Sequence, residues 1–176
     1  MSRDFEITSR AAAYERGEPM AAMPSPKLDD IHWQVLVGAE PDGALRTPYR
    51  YLTEKPADDW IKENFDDRTW QIGRAPFGNR DKASTPWKSP EIYLRKSFEY
   101  DGGAVKNGAV VIRHNDNTEI YINGEKIVGV TGSKGYYLIM ATEAMNKALK
   151  KGTNTLAVHS HEGGEGQFID LAILAE

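Results

Sequence analysis

Apolar and polar residues alternate along short segments through most of this chain. Such alternation is typical of β-strands that pack one face against a core. The segments with this pattern, or with many β-branched and aromatic residues, are 31–37, 49–52, 92–98, 109–113, 136–140, 155–161 and 167–174. With a hairpin near residue 123, they give about eight or nine short strands, which predicts an all-β sandwich or barrel.

The clearest local signal is the dipeptide Asn123 and Gly124 between two alternating segments. A two-residue type I′ turn needs positive φ at both central positions, and Asn-Gly meets that need at low steric cost. The turn predicts a hairpin in which Ile120 faces Ile127 and Tyr121 faces Lys126.

One segment has helical spacing instead, which predicts a short helix over residues 142–151. Thr142 is the expected N-cap, Glu143 suits the first turn, and Gly152 is the expected C′ residue. A single helix in this place does not change the all-β class.

The segment 56–90 lacks a regular period. Trp60, Phe65 and Trp70 recur every five residues, which fits neither a helix nor a strand, so we predict a compact loop held by its own aromatic side chains.

Residues 1–30 contain several prolines and few large apolar groups, which predicts an irregular lead-in. The β-sandwich domain is expected to occupy residues 31–176.

Composition excludes several classes of function. The chain has 176 residues, 40% of them hydrophobic, no cysteine and a net charge of −4. These values predict one soluble domain with no disulfide, no thiolate metal site and no basic surface for nucleic acid. There is no apolar run of the ~20 residues that a membrane span needs, and residues 1–16 lack the apolar core of a signal peptide.

A dense polar cluster precedes the hairpin. It consists of Arg113, His114, Asn115, Asp116 and Asn117. Paired polar side chains near an aromatic ring suit sugar recognition, and Trp87 and Tyr93 are the candidate rings. The alternative is that the cluster satisfies a tight corner while Trp87 packs under its own loop.

Two pairs of residues are candidate metal ligands. His159 and His161 share one face of a predicted strand, a spacing that suits a transition metal, although surface histidines are the plainer interpretation. Asp66 and Asp67 could hold a structural Ca²⁺, or could instead accept backbone N–H groups in a turn.

Signals for catalysis are weak. The chain has no Gly-x-Ser-x-Gly motif, and the glycine-rich segment 163–166 joins two predicted strands, unlike a phosphate-binding loop. Hydrolysis of glycosides needs two acids that face each other across a cleft, which one small sandwich seldom provides. We therefore expect that this chain is not itself an enzyme.

An ordered set of motifs covers residues 46–174. It comprises Trp60, residues 65–70, Gly73, residues 77–78, 85–87, 92–98, 115–117, 121–124, 149–154, 156–159 and 163–164, and Asp170. In this order the motifs resemble those of the galactose-binding-domain-like β-sandwich modules of bacterial secreted hydrolases. Hosts of such modules include glycoside hydrolases and glutaminase-A-like proteins.

The resemblance implies a jelly-roll sandwich of two antiparallel sheets beside a catalytic domain that this chain lacks. Related modules bind sugars through loops at one end, some carry a structural Ca²⁺, and others act as spacers. We therefore expect a non-catalytic, carbohydrate-binding-like accessory domain of an exported hydrolase, periplasmic or extracellular, that requires no cofactor. Its expected partners are carbohydrate and the catalytic domain of the parent protein. The alternative is a structural interdomain module of a glutaminase-A-like enzyme, with no ligand of its own.

Overall fold

The computed structural model describes residues 6–7, 28–39, 48–79, 82–115, 117–132, 134–164 and 166–176. The strands within them are β1 (Glu6–Ile7), β2 (Gln34–Val37), β3 (Pro48–Leu52), β4 (Gln71–Arg74), β5 (Phe77–Gly78), β6 (Thr85–Pro86), β7 (Glu91–Tyr100), β8 (Gly108–His114), β9 (Asn117–Ile122), β10 (Glu125–Val130), β11 (Lys134–Met140), β12 (Gly152–His161) and β13 (Phe168–Ala175). One α-helix, α1 (Thr142–Ala148), lies between β11 and β12, and a 3-10 turn (Leu28–Asp30) precedes β2.

The strands form two sheets, which confirms the predicted all-β, two-sheet sandwich. Sheet A has the order β1-β11-β8-β13-β5-β6, with β2 also paired to β13, and sheet B has the order β10-β9-β12-β7-β3-β4. Most neighbours are antiparallel, but β1 pairs with β11, and β5 with β6, in parallel. The described part of the N-terminal lead-in is therefore not wholly irregular, since it includes β1.

The main core lies between the sheets because alternate residues of each strand point inward. Ile112 and Leu171 from sheet A, and Ile92, Ile120 and Leu156 from sheet B, are at most 1% exposed. Fully burying a side chain of this size contributes about 1.5–3 kcal/mol. The residues between them in sequence point outward, and those of sheet B form the surface considered below.

The hairpin between β9 and β10 has the predicted turn. Asn123 has a φ of +52° and Gly124 a φ of +90°. Tyr121 faces Lys126 as predicted, but the prediction for Ile120 is wrong, since it faces Val128. The cause is a register shift after Lys126, which inserts one extra residue into β10.

The helix is shorter than predicted and begins differently. Its N-cap is Ala141, which makes no side-chain cap. Thr142 is not the N-cap because its hydroxyl instead accepts the N–H of Gly108 at 2.9 Å, which joins α1 to β8. Leu149 is extended at the C-terminus, so Gly152, with a φ of +92°, opens β12 and is not the C′ residue.

The segment 56–90 contains the predicted aromatic loop and three short strands, β4 to β6, that were not predicted. The stacked rings of Trp60 and Trp70 lie 6.4 Å apart, and Phe65 meets Trp70 edge-on at 5.7 Å. We call residues 57–70 the aromatic loop.

At the edge of sheet B, the hydroxyl of Thr85 accepts the N–H of Arg74 in β4 and donates to its carbonyl oxygen, at 2.7 and 2.8 Å.

Within the described residues, no helix combines the length and the hydropathy needed to cross a membrane.

Candidate functional site

The outer face of sheet B brings together two carboxylates, two phenols and an imidazole. They belong to Glu91, Tyr93, Glu119, Tyr121 and His159, which we call the acidic shelf. The residues lie on three adjacent strands, β7, β12 and β9, and His159 in the central strand faces Tyr93 on one side and Glu119 on the other. Strand alternation puts all five side chains on one face.

Each carboxylate of the shelf accepts a hydrogen bond from the tyrosine two residues further along its own strand. The phenol of Tyr93 donates to Glu91, and the phenol of Tyr121 donates to Glu119 at 3.0 Å. The Tyr93 ring also stacks on the imidazole of His159, with centroids 4.5 Å apart and planes 7° apart. These contacts fix the positions of both carboxylates and of the imidazole between them.

Glu119 has a second partner, the ammonium of Lys126, at 2.7 Å. This side chain crosses the sheet above Gly129, where an added Cβ would lie 2.9 Å from its Cε atom. A glycine at this position therefore leaves room for the ion pair.

The aromatic loop packs against the shelf. Trp60 meets Tyr93 edge-on at 5.2 Å and Tyr121 at 6.2 Å. Arg95, only 3% exposed, holds the loop down by donating to Asp67 at 2.9 Å and to the carbonyl oxygens of Trp60 and Lys62. One buried guanidinium thus binds both a carboxylate and the backbone of the loop.

The charges of the shelf follow from these contacts. The hydrogen bond from Lys126 lowers the pKa of Glu119, so this carboxylate is ionised at neutral pH. Burial raises the pKa of Tyr93, and it raises the pKa of Tyr121 to about 12. Both phenols therefore keep their protons at neutral pH and act as donors.

The imidazole of His159 lies between the two carboxylates. Its Nε2 is 3.9 Å from Glu91 and its Nδ1 is 3.9 Å from Glu119, both too long for a direct hydrogen bond. Nε2 is buried and has no hydrogen-bond partner among the described residues. Burial lowers the pKa of His159, and the two carboxylates only partly oppose that effect. The ring is therefore neutral at pH 7 and carries a single N–H.

This lowered pKa predicts a pH dependence of stability. An unfolded chain takes up the proton near the ordinary pKa of 6.5, whereas the folded chain takes it up at lower pH. The free energy of unfolding should therefore decrease as pH falls below that value, and His159→Gln should reduce the decrease. Urea unfolding, followed by tryptophan fluorescence at about pH 8 and about pH 5.5, measures both slopes. At about pH 8 the imidazole is neutral in both states, so the difference between the two proteins there reports only the contacts that the substitution removes. If the free energy of unfolding falls equally in both proteins between the two pH values, the lowered pKa of His159 is contradicted.

Of the residues predicted from sequence, Tyr93 and His159 are in the shelf, but Tyr93 is 3% exposed between Trp60 and His159, so its ring is not open to a sugar as a platform. His161 lies beside it, exposed and opposite Glu91 in the strand register. The predicted orientation of both histidines, opposite the core residue Val158, is confirmed. Their roles as ligands stay predictions.

The polar cluster before the hairpin does not form one site. Arg113 points to the outer face of sheet A, where its guanidinium lies 4.2 Å from the ring centre of Phe168. His114 points inward, is fully buried, and bonds Tyr137 at 2.6 Å. Asn115 is buried at the end of β8, and Asp116 lies outside the described residues. Strand alternation separates Arg113 from His114, so the predicted convergence of this cluster on one ligand is wrong for these two residues.

Trp87, the other candidate ring for a sugar, is not accessible. Its side chain is 1% exposed and belongs to the core between the sheets. The indole N–H donates to the hydroxyl of Ser89 at 3.0 Å and to the carbonyl of Glu91 at 3.1 Å. The alternative, in which this tryptophan packs under its own loop, describes its position.

Asp66 takes up the turn-capping alternative, whereas Asp67 forms ion pairs. Asp66 accepts the backbone N–H of Arg68 at 3.1 Å and also binds its guanidinium, which lowers the pKa of Asp66 to about 2. Asp67 pairs with Arg50 and Arg95. Across the described ranges, no three His, Asp or Glu side chains are placed to hold a metal ion. The geometry therefore gives no support to a metal at either predicted pair.

Sequence reasoning missed Glu91, Glu119 and Tyr121 as members of a site. The alternation already placed each on the outer side of its strand. The missing information was that β9 and β7 both pair with β12, which brings residues far apart in sequence to one surface.

A shallow, open depression of about 430 Å³ lies between the aromatic loop and the hairpin turn, lined by residues 61–64 and 123–125. The amide of Asn123 on its wall donates to Ala148 and Asn154, and its oxygen accepts the N–H of Thr155. These bonds hold the turn in place, so this side chain has a structural role, and the shelf offers the richer chemistry.

Comparisons with known proteins give a fold and no closer relation. No protein-family description and no curated protein matches the sequence. Similar solved structures include a Bacteroides uniformis beta-glucuronidase (16% identity, TM-score 0.56), which covers 82% of this chain and 18% of its own. A beta-glycosidase from Bacteroides vulgatus has 17% identity and a TM-score of 0.53, and covers 74% of this chain and 19% of its own. A glycosyl hydrolase family 2 member from Bacteroides cellulosilyticus has 15% identity and a TM-score of 0.56, and covers 81% and 21%.

At such low identity the likeness shows the fold alone. The chain spans about a fifth of the length of these hydrolases. The part of the resemblance that pointed to glutaminases gains no support from these structures.

Proposed function

We propose that this chain is a non-catalytic accessory domain of a larger glycoside hydrolase and that it contacts carbohydrate through the acidic shelf. One observation carries the proposal. The structural match covers about four-fifths of this chain but only about a fifth of each hydrolase. Export of the parent protein to the periplasm or beyond fits this role and is part of the proposal. The role requires no cofactor.

The shelf has the groups that a sugar needs. Sugar hydroxyls donate well to ionised carboxylates, and they can donate to or accept from an imidazole nitrogen. Glu91 and Glu119 are 35% and 40% exposed, and His159, 24% exposed, lies between them. Two carboxylates and an imidazole therefore meet on one accessible surface.

The same carboxylates are poorly suited to hydrolysis. A glycosidase needs one carboxylic acid with a raised pKa to protonate the leaving group. Here the pKa of Glu119 is lowered by Lys126, and both carboxylates lie on one open sheet face. This arrangement supports binding without catalysis.

A second candidate is a spacer that packs on a neighbouring domain and binds no sugar. Its support is the exposure of two large apolar side chains on edge strands, Ile72 in β4 at 70% and Val35 in β2 at 60%. A neighbouring domain would bury such side chains.

The test measures catalysis and binding on the purified chain. We expect no release of nitrophenol from nitrophenyl β-glucuronide, β-galactoside or β-xyloside, and retarded migration in native gels that contain soluble plant polysaccharides. Turnover that co-purifies with the chain through two successive columns would overturn the non-catalytic role. Unretarded migration in every gel would overturn the carbohydrate contact and favour the spacer.

A further inference from the structure

We infer that the acidic shelf selects neutral sugars and discriminates against uronic acids. This inference rests on the proposed function and deepens it by naming the class of ligand. Several enzymes of similar structure are beta-glucuronidases. The class of sugar that we infer for this chain differs from the one in their names.

The first support is the charge of the surface. Two carboxylates and one ammonium leave the shelf with one net negative charge while its imidazole is neutral. Lys126 binds Glu119 in the shelf, and Arg50 and Arg95 both bind Asp67 in the supporting loop. The charge of Lys126 is thus already offset by Glu119, and Arg95, only 3% exposed, does not meet a ligand on the surface.

The second support is the spacing around the imidazole. The 3.9 Å between Nδ1 of His159 and Oε2 of Glu119 suits a bridging hydroxyl, which can donate to one atom and accept from the other or donate to the carboxylate alone. A ligand carboxylate has no proton to donate at neutral pH, so it would set its lone pairs against those of Glu119. The site therefore fits a hydroxyl and repels a carboxylate at the same position.

The third support is that the acceptors are preorganised. Tyr121 and Lys126 hold Glu119, and Tyr93 holds Glu91, so the carboxylates cannot easily turn away from an anionic ligand. A sugar loses little binding free energy in ordering these groups, because the protein has ordered them already.

The experiment compares pairs of sugars in which the hydroxymethyl group of one is a carboxylate in the other. Methyl β-glucoside and methyl β-glucuronide have the same ring and differ at carbon 6, and methyl β-galactoside and its galacturonide form a second pair. Titrations into ¹⁵N-labelled chain, followed through the amides of His159 and Glu119, give the dissociation constants. We expect at least one neutral sugar to bind about tenfold more tightly than its uronate, as a like charge at contact distance would produce.

Two variants and a matched control assign the preference to the shelf. Glu91→Gln with Glu119→Gln keeps the shape of the carboxylates and removes their charge, so the preference should shrink toward equal binding. Glu143→Gln is the control, because it removes one charge from an exposed pair on α1 with Lys147. It should leave the preference unchanged.

The outcomes separate the inference from the proposed function. Uronates that bind as tightly as neutral sugars would overturn the inference, as would binding of none of the four sugars. An equal effect of Glu143→Gln would also overturn it, since net charge rather than the shelf would then set the preference. None of these results bears on whether the chain is non-catalytic, which the turnover assay decides.

Discussion

Arg95→Ala is expected to lower the free energy of unfolding by about 3–5 kcal/mol. The substitution leaves Asp67 without its closest cation, the carbonyl of Trp60 without this donor, and the carbonyl of Lys62 with the N–H of Phe65 alone. Removing the buried partner of such a pair costs more than the pair itself contributes, because the carbonyl of Trp60 and the carboxylate of Asp67 lose a donor while they stay partly buried. Urea unfolding curves of the variant and the parent give the difference.

The chain contains its own control for this prediction. Arg68 pairs with Asp66 at 2.7 Å, one residue from Asp67, but its side chain is 83% exposed. Exposed pairs of this kind contribute little because water screens them, so Arg68→Ala should have a much smaller effect. Similar losses in both variants would mean that Arg95 does not hold the aromatic loop.

Trp87→Ala is expected to destabilise the chain by about 3–5 kcal/mol, because it removes the largest of the fully buried side chains. The cavity would lie between the two sheets, where neighbouring strands cannot close over it easily. Chemical denaturation measures the loss, and Ile72→Ala, at a side chain that is 70% exposed, is the control, with an effect within about 0.5 kcal/mol. A stable Trp87→Ala variant would restore the idea that this ring lies on the surface.

The fold was largely predictable because strand alternation is a property of the local sequence. His159 and Val158 point to opposite sides of β12, as their alternation required. The turn at Asn123 has the predicted backbone because only a few residue types accept positive φ. Strands of two to four residues, such as β4 and β5, were missed since they are too short to show a period.

Errors arose where a distant contact decided the local structure. Thr142 has the side chain of an N-cap, but its hydroxyl accepts the backbone N–H of Gly108 in β8. Trp87 follows a polar loop, and the loop suggested exposure, yet Ser89 and the backbone of Glu91 satisfy its N–H inside the core. Gly108 lies 34 positions from Thr142, and the burial of Trp87 depends on how the two sheets pack, so neither outcome follows from the neighbouring residues alone.

The site was harder to predict than the fold for the same reason. Sequence reasoning identified Tyr93 and His159 separately, one as a sugar platform and the other as a metal ligand. Their stacking depends on the pairing of β7 with β12, which joins residues 66 positions apart. Only the topology shows that they belong to one surface.

The hydroxyl of Thr85 also has a consequence for how the chain behaves beside other chains. β4 is an edge strand, and edge strands offer unpaired backbone groups to which a second molecule can add a strand. By binding both the N–H and the carbonyl of Arg74, this hydroxyl removes two such groups next to the exposed Ile72. The edge is thereby less able to accept a strand from a second molecule, and so less able to seed aggregation.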